Sequence, residues 1–260
     1  MNAEPARPAT HKKPITFQMS DRDVRIDLAA AHRLAFRLGL NEGIANHFSA
    51  RLTSEPDRFL ITPHGLHWSE VCASRLLVVD FEGRIYEGDG EVESSAFFIH
   101  SHILRARGDV ACVLHTHQPY ATSITMLEGG RLLPVSQTAL RFHSRVAYEP
   151  DYAGAADQAQ EGERLAKAIG DKAVLFHAHH GVIVAGESVA RAFDDLYYLE
   201  RASQLQLVAQ STGGELRVIS DNVAERYVSD ARPNNLKKQA IIHFAALKRV
   251  LDHEEPEYAQ

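Results

Sequence analysis

Apolar and polar residues alternate along the chain with two different periods. After Ser20, the stretch Ser20-Asp21-Arg22-Asp23 resembles a capping box with Asp in the Glu position. Val24, Leu28, Ala31, Ala35 and Leu38 then recur at helical spacing, which predicts a helix with one buried face, ended by Gly39 and Asn41. From Asn41 to about Gly90 the period shortens to that of strands. His47–Leu52 alternates, Phe59–Thr62 is a short apolar strand, and Thr62-Pro63-His64-Gly65 is a turn. Leu76–Asp80 and Arg84–Tyr86 form a hairpin with Glu82-Gly83 near its turn, an antiparallel start rather than a βαβ one.

Further helices are predicted from Ser94 or Ser95 to Arg107, from Tyr120 to Leu127, over Glu161–Ile169, from Ser188 to about Gln210, and from about Asn235 to Asp252. Val110–Leu114, Leu132–Val135, Ser144–Tyr148, Ala173–His177 and Val182–Gly186 read as strands. Residues 1–18, with three prolines and no apolar period, predict a flexible N-terminal arm. Residues 215–234, containing Pro233, read as a connecting loop over a site or a neighbouring subunit. Strands and helices alternate from residue 19 to residue 260 with no linker between them, so the expectation is one α/β domain ending in a helical extension.

Composition narrows the function classes. The 260 residues are 45% hydrophobic and 24% charged, ordinary for a globular chain. A formal net charge of −6 gives no reason to expect nucleic acid or an anionic membrane as partner. Two cysteines, Cys72 and Cys112, make no disulfide framework and read as packing residues. With no long apolar run and no apolar leader, the expected location is the cytoplasm. The unusual feature of the composition is its 15 histidines.

Histidine chemistry centres on Val110–Pro119, an apolar strand ending in His115-Thr116-His117. Residues two apart on a strand share a face, with α-carbons about 6–7 Å apart. Two such imidazoles can reach one ion, since zinc binds neutral histidine nitrogen at about 2.0–2.1 Å. Strand-end histidines with ordinary hydrogen bonds fit the same pattern. His177, His179 and His180 crowd a second strand end before Gly181; alternation puts His180 on the face opposite His177 and His179, so only a bend at Gly181 brings more than one of them to an ion. His64 and Gly65 in their turn, with Ser94 and Ser95 at a helix N-terminus, can bind an anionic group through hydroxyl and N–H donors. Helix capping explains the serines equally well. His47 reads either as a ligand for a substrate carboxylate or as a buried histidine with a backbone partner, and His100 as a core-facing helix residue.

In this order, Thr62-Pro63-His64-Gly65, Ser94-Ser95, His115-Thr116-His117, His180-Gly181-Val182 and Gly186–Phe193 resemble the class II aldolase/adducin family over roughly residues 22–212. Ile61–Glu70 and Leu132–Ser136 look closer to its adducin-like branch. The resemblance implies a three-layer α/β/α fold with a mainly antiparallel central sheet and a homotetramer acting on a small-molecule substrate. It implies a divalent metal, usually zinc (manganese or another ion being the alternatives), held by His115, His117 and His180. In such enzymes the metal polarises a carbonyl and stabilises an enolate. The glutamate that follows the Ser-Ser pair in family aldolases, acting as acid/base or fourth metal ligand, falls at Ala96, the phosphate-holding asparagine at His47, and the proton-donating tyrosine near Gln137 or Thr138, so the catalytic residue is left unassigned. The expected function is a metal-dependent lyase of the aldolase/decarboxylase type acting on a small carbonyl or hydroxy-acid compound. The alternatives are a non-catalytic adducin-like scaffold and a sugar-phosphate epimerase.

Overall fold

The capping box forms as expected in the computed structural model, which describes residues 19–152, 154, 157–230 and 233–260. The arm expected over residues 1–18 lies outside the described residues. Ser20 Oγ accepts from Asp23 N–H at 3.2 Å and Asp23 Oδ2 accepts from Ser20 N–H at 3.1 Å, opening α1 (Asp21–Arg37). Gly39 follows in the left-handed region, φ +66°.

Eight strands form one sheet: β1 (His47–Arg51), β2 (Arg58–Ile61), β3 (Leu77–Asp80), β4 (Ile85–Glu87), β5 (Cys112–Thr116), β6 (Val146–Glu149), β7 (Val174–His177) and β8 (Gly181–Gly186). Their order is β4-β3-β2-β1-β5-β8-β7-β6, and every neighbouring pair is antiparallel except β6–β7. Period-2 alternation separates two cores. Phe59, Ile61, Leu77, Val79, Val113, Leu175 and Ile183 pack with α2 (Ser94–Ala106) and α5 (Ala159–Ile169) on one face. Leu60, Val78, Leu114, Phe176, Val182 and Val184 pack on the other, with α1, α3 (Pro119–Thr125), α6 (Val189–Gln210) and α8 (Pro233–Glu254). This is the three-layer α/β/α arrangement with a mainly antiparallel sheet. Among the described residues no helix is long and apolar enough to cross a membrane. Cys112 is buried in the core and, like Cys72, is a free thiol.

Two expectations fail. Leu132–Val135 is not a strand: Leu132 N–H donates to the Tyr148 hydroxyl at 3.1 Å and Leu133 N–H to Gln206 Oε1 at 2.7 Å, while Pro134 has no N–H. Val135 N–H donates to the Leu133 carbonyl and Ile219 N–H to the Pro134 carbonyl, both at 2.8 Å, so side chains and loop backbone, not a neighbouring strand, satisfy the segment. The loop expected over 215–234 contains α7 (Asp221–Asp230), which is anchored by fully buried Ala224. A one-turn helix, α4 (Gln137–Leu140), was also not expected; Ser136 Oγ caps it by accepting from Ala139 N–H at 3.1 Å.

Candidate metal centre and adjoining cleft

β1 and β5 pair so that His47 lies opposite His115 and Ser49 opposite Val113. By parity, His115 projects from the α2/α5 face, and His117 follows it one residue beyond the strand end. His180 arrives from the β7–β8 turn. His179 takes φ +57° to make that turn, a conformation costing a non-glycine residue on the order of 1–2 kcal/mol. Gly181 lets the turn lie against β5, because a Cβ there would stand 2.5 Å from the Thr116 carbonyl oxygen and 2.8 Å from His117 Cδ2.

These placements bring one nitrogen from each of His115, His117 and His180 within 4.8 Å of one another. His115 Nδ1–H donates to the Val182 carbonyl at 3.0 Å, and His117 Nδ1–H donates to Glu42 Oε2 at 2.6 Å. With those Nδ1–H groups turned outward, the two Nε2 atoms face each other 3.1 Å apart. Two imidazole nitrogens turned to one point, with His180 beside them, make a donor set that fits a metal ion. Burial, reinforced by the neighbouring histidines, holds His115 well below the usual histidine pKa and lowers His180 to about 4, leaving both neutral at pH 7.

His180 differs in its outer contact. Its Nδ1 meets His177 Nδ1 at 3.1 Å, and His177 Nε2 lies 3.3 Å from Arg164 Nη2. Arg164 is tied in turn to Glu161 at 2.6 Å and Glu149 at 2.8 Å. For His180 to offer Nε2 to an ion, the proton between the two Nδ1 atoms must sit on His180.

Beside the triad, a cleft of about 350 Å³ gathers His47, His64, Gly65, Glu93, Ser95 and Ala96. Of the residues expected to bind substrate, His47, His64, Gly65 and Ser95 meet there. Ser94 is exposed and lies outside its lining. The helix N-terminus is already occupied: Glu93 caps α2, accepting from Ala96 N–H at 2.8 Å and from the Ser95 hydroxyl. Burial opposes ionisation of Glu93, but these bonds outweigh it and the pKa is lowered, so a carboxylate sits where an anion was expected to dock.

Several residues at this site were not read from the sequence as parts of it. His100 Nε2 lies 2.7 Å from His47 Nδ1, and its Nδ1 bonds Ser49 Oγ. Alternation does put Ser49 on the face of His47, and helical spacing turns His100 inward, so a signal for that contact existed. Glu42, in the loop before β1, has no local pattern pointing to His117. Ala96 is buried, with its N–H spent on Glu93.

The profile of the Class II Aldolase and Adducin N-terminal domain matches residues 26–207. An aldolase II superfamily protein from Pseudomonas syringae superposes with a TM-score of 0.85 at 35% identity, over 94% of this chain and 97% of that one. L-fuculose 1-phosphate aldolase from Glaciozyma antarctica PI12 does so with a TM-score of 0.83 at 25% identity, over 95% and 97% of the two chains. An adducin-related protein of Schizosaccharomyces pombe is 33% identical over 263 residues, covering 95% of this chain and 80% of that protein. With the profile and this relative each covering most of its length, the chain belongs to the class II aldolase and adducin family.

Proposed function

We propose that the chain is a divalent-metal-dependent carbon–carbon lyase of the aldolase/decarboxylase type, acting on a small carbonyl or hydroxy-acid compound. The observation that carries this reading is the convergence of His115, His117 and His180, with the outer nitrogens of the first two spent on Val182 and Glu42. Three neutral imidazoles suit zinc and leave a coordination position open. When bound, such an ion supplies Lewis-acid polarisation of a carbonyl and a sink for developing negative charge.

The chain's own residues bias the substrate. Glu93 holds negative charge at the α2 N-terminus and repels a phosphate from that position, which favours an unphosphorylated acid over a sugar phosphate. The methyl of Ala96 can neither take nor give a proton, so removal of a C–H proton lacks its family residue. Decarboxylation needs no such base: the carbon–carbon bond breaks, its electron pair stays on the carbon next to the carbonyl, carbon dioxide leaves and a proton completes the product. His47, at the wall shared by cleft and triad, is placed to hold a substrate oxygen.

A cytoplasmic homotetramer belongs to the same proposal; exposed Leu205, Val208, Ile241 and Ile242 on α6 and α8 offer apolar surface for a second copy. Similarity to an adducin-related protein supports a second reading, a non-catalytic scaffold. Metal quantification separates the two. Wild type should carry about one zinc or similar ion per chain and His115→Ala far less, and the loaded protein should then turn over a member of a hydroxy-acid, keto-acid and sugar-phosphate panel. Folded wild type that takes up no ion on incubation would establish the scaffold and end the lyase reading.

A further inference from the structure

Two histidines face each other across the β1–β5 pair, His47 and His115, with ring centroids 4.8 Å apart. We propose that Ser49 and His100 are positioning residues that lock His47 as a fixed Nε2–H donor facing the cleft, where it binds a carboxylate oxygen of the substrate. The proposal deepens the lyase reading and rests on it for the identity of the ligand; the lock itself does not depend on a metal.

The direction of the chain follows from Ser49. Its side chain is completely buried, and among the described residues the hydroxyl has one partner, His100 Nδ1. A buried hydroxyl needs an acceptor for its proton, and His100 Nδ1 is the acceptor within reach. Accepting there obliges neutral His100 to carry its proton on Nε2. That N–H then donates to His47 Nδ1, at 2.7 Å, and His47 in turn must carry its proton on Nε2. The reverse polarity, with His47 Nδ1–H donating to His100 and His100 Nδ1–H donating to Ser49, leaves the Ser49 proton stranded in the core. His100 is neutral at pH 7, since burial lowers it to about 3.

His47 Nε2–H makes no bond to a described residue, and His47 lines the cleft. It therefore presents a hydrogen-bond donor beside the point to which His115 and His117 turn their Nε2 atoms. The two poles have opposite origins: oxygen acceptors behind His115 and His117, a hydroxyl donor behind His47. The same polarity excludes His47 as a fourth metal ligand. A hydroxy acid or keto acid fits this pairing, with one oxygen towards the triad and a carboxylate oxygen on His47.

The test is a long-range proton–nitrogen NMR correlation on 15N-histidine-labelled, metal-free protein, which reports each ring's tautomer directly. His47 and His100 should both appear as single Nε2–H tautomers, and Ser49→Ala should lose the single state at both. His47 found as the Nδ1–H tautomer in wild type overturns the lock. For the ligand, glycolate binding to the zinc-loaded protein is measured by calorimetry. His100→Phe should weaken it about tenfold at unchanged zinc stoichiometry, and His100→Gln, which keeps an N–H donor, should restore most of it. Equal glycolate affinity in wild type and His100→Phe overturns the carboxylate role. Failure of wild type to hold zinc would instead sink the lyase reading while leaving the metal-free NMR result to decide the lock.

Discussion

At the triad, main chain and loop supply what the histidines need: Val182 offers a carbonyl to His115, and Glu42 reaches in from the loop before β1 to His117. At the cleft, Glu93 fills the helix N-terminus that its neighbours would otherwise offer to a ligand. One region turns imidazole nitrogens towards a common point and the other has its helix end partly closed to an anion. The contrast separates two ways of building a site in this chain: strand register fixes the histidines, whereas the helix start takes its character from the residue that caps it.

The largest expected effect breaks this comparison on the triad side. Gly181→Ala would place a methyl against Thr116 and His117 and push β5 away from the turn carrying His180. Zinc affinity, read by competition with a chelator, should fall by more than the roughly 10–100-fold typical of losing an outer partner. Gly90→Ala is the matching change at the cleft, where φ is +131° and Pro63 Cβ would lie 2.8 Å from the new atom. That variant should disturb the cleft and leave zinc affinity within about twofold, since the atoms nearest the new methyl all belong to Pro63 and none to a histidine of the triad. Full zinc affinity in Gly181→Ala would show that the close approach of β8 to β5 does not set the triad.

Beneath the cleft, His32 packs 4.8 Å from Phe48 and 5.0 Å from Trp68, ring to ring. Burial lowers its pKa from 6.5 to about 4, against a smaller opposing effect of its bond to the Leu28 carbonyl. The unfolded chain therefore takes up this proton first as pH falls. Stability is intact above pH 6.5, declines between 6.5 and 4, and stops changing on this account below about pH 4, for a loss of about 3 kcal/mol. Urea midpoints of metal-free protein across that range should show a shallower decline in His32→Gln. Parallel curves for the two proteins would mean that His32 is not the titrating group.

Much of the triad was legible because strand parity is local information. His115 and His117 sit two apart on one face, and Gly181 marked the bend that His180 needed. The alternating strands, the capping box at Ser20 and the helical stripe of α1 were legible for the same reason. The failures came where distant groups satisfy the backbone. Leu132–Val135 looked extended, but the N–H groups of Leu132 and Leu133 go to the side chains of Tyr148 and Gln206. Ser94 and Ser95 looked like an anion site, and nothing in their spacing said that Glu93 would turn its carboxylate onto the same helix end. Glu42 stands 75 residues before His117, and no periodicity connects such a pair.

A smaller effect tests how much the outer shell sharpens the triad. Glu42→Gln keeps an acceptor for His117 Nδ1–H but removes the charge that makes Nε2 a stronger donor to a metal. Because Glu42 is largely exposed, the loss of zinc affinity should sit near the low end of the outer-partner range, roughly tenfold. Unchanged affinity would place the orientation of His117 in packing alone.

The smallest effect bears on the cleft and on substrate class. In Glu93→Ala the Ser95 hydroxyl and the Ala96 N–H lose their internal acceptor, while the partial positive charge of the α2 N-terminus remains. An anion at a helix N-terminus gains about 0.3–1 kcal/mol, and the carboxylate's repulsion disappears with it, so inorganic phosphate should bind a few-fold more tightly than to wild type. Loss of the cap should cost about 1 kcal/mol of stability, which a urea midpoint would register independently. Phosphate titration followed by phosphorus NMR reads the first effect. Wild type that binds phosphate as well as Glu93→Ala would mean that Glu93 does not guard the helix end. The preference for an unphosphorylated acid would lose its support, and sugar-phosphate cleavage or epimerisation would become the better reading of the same triad.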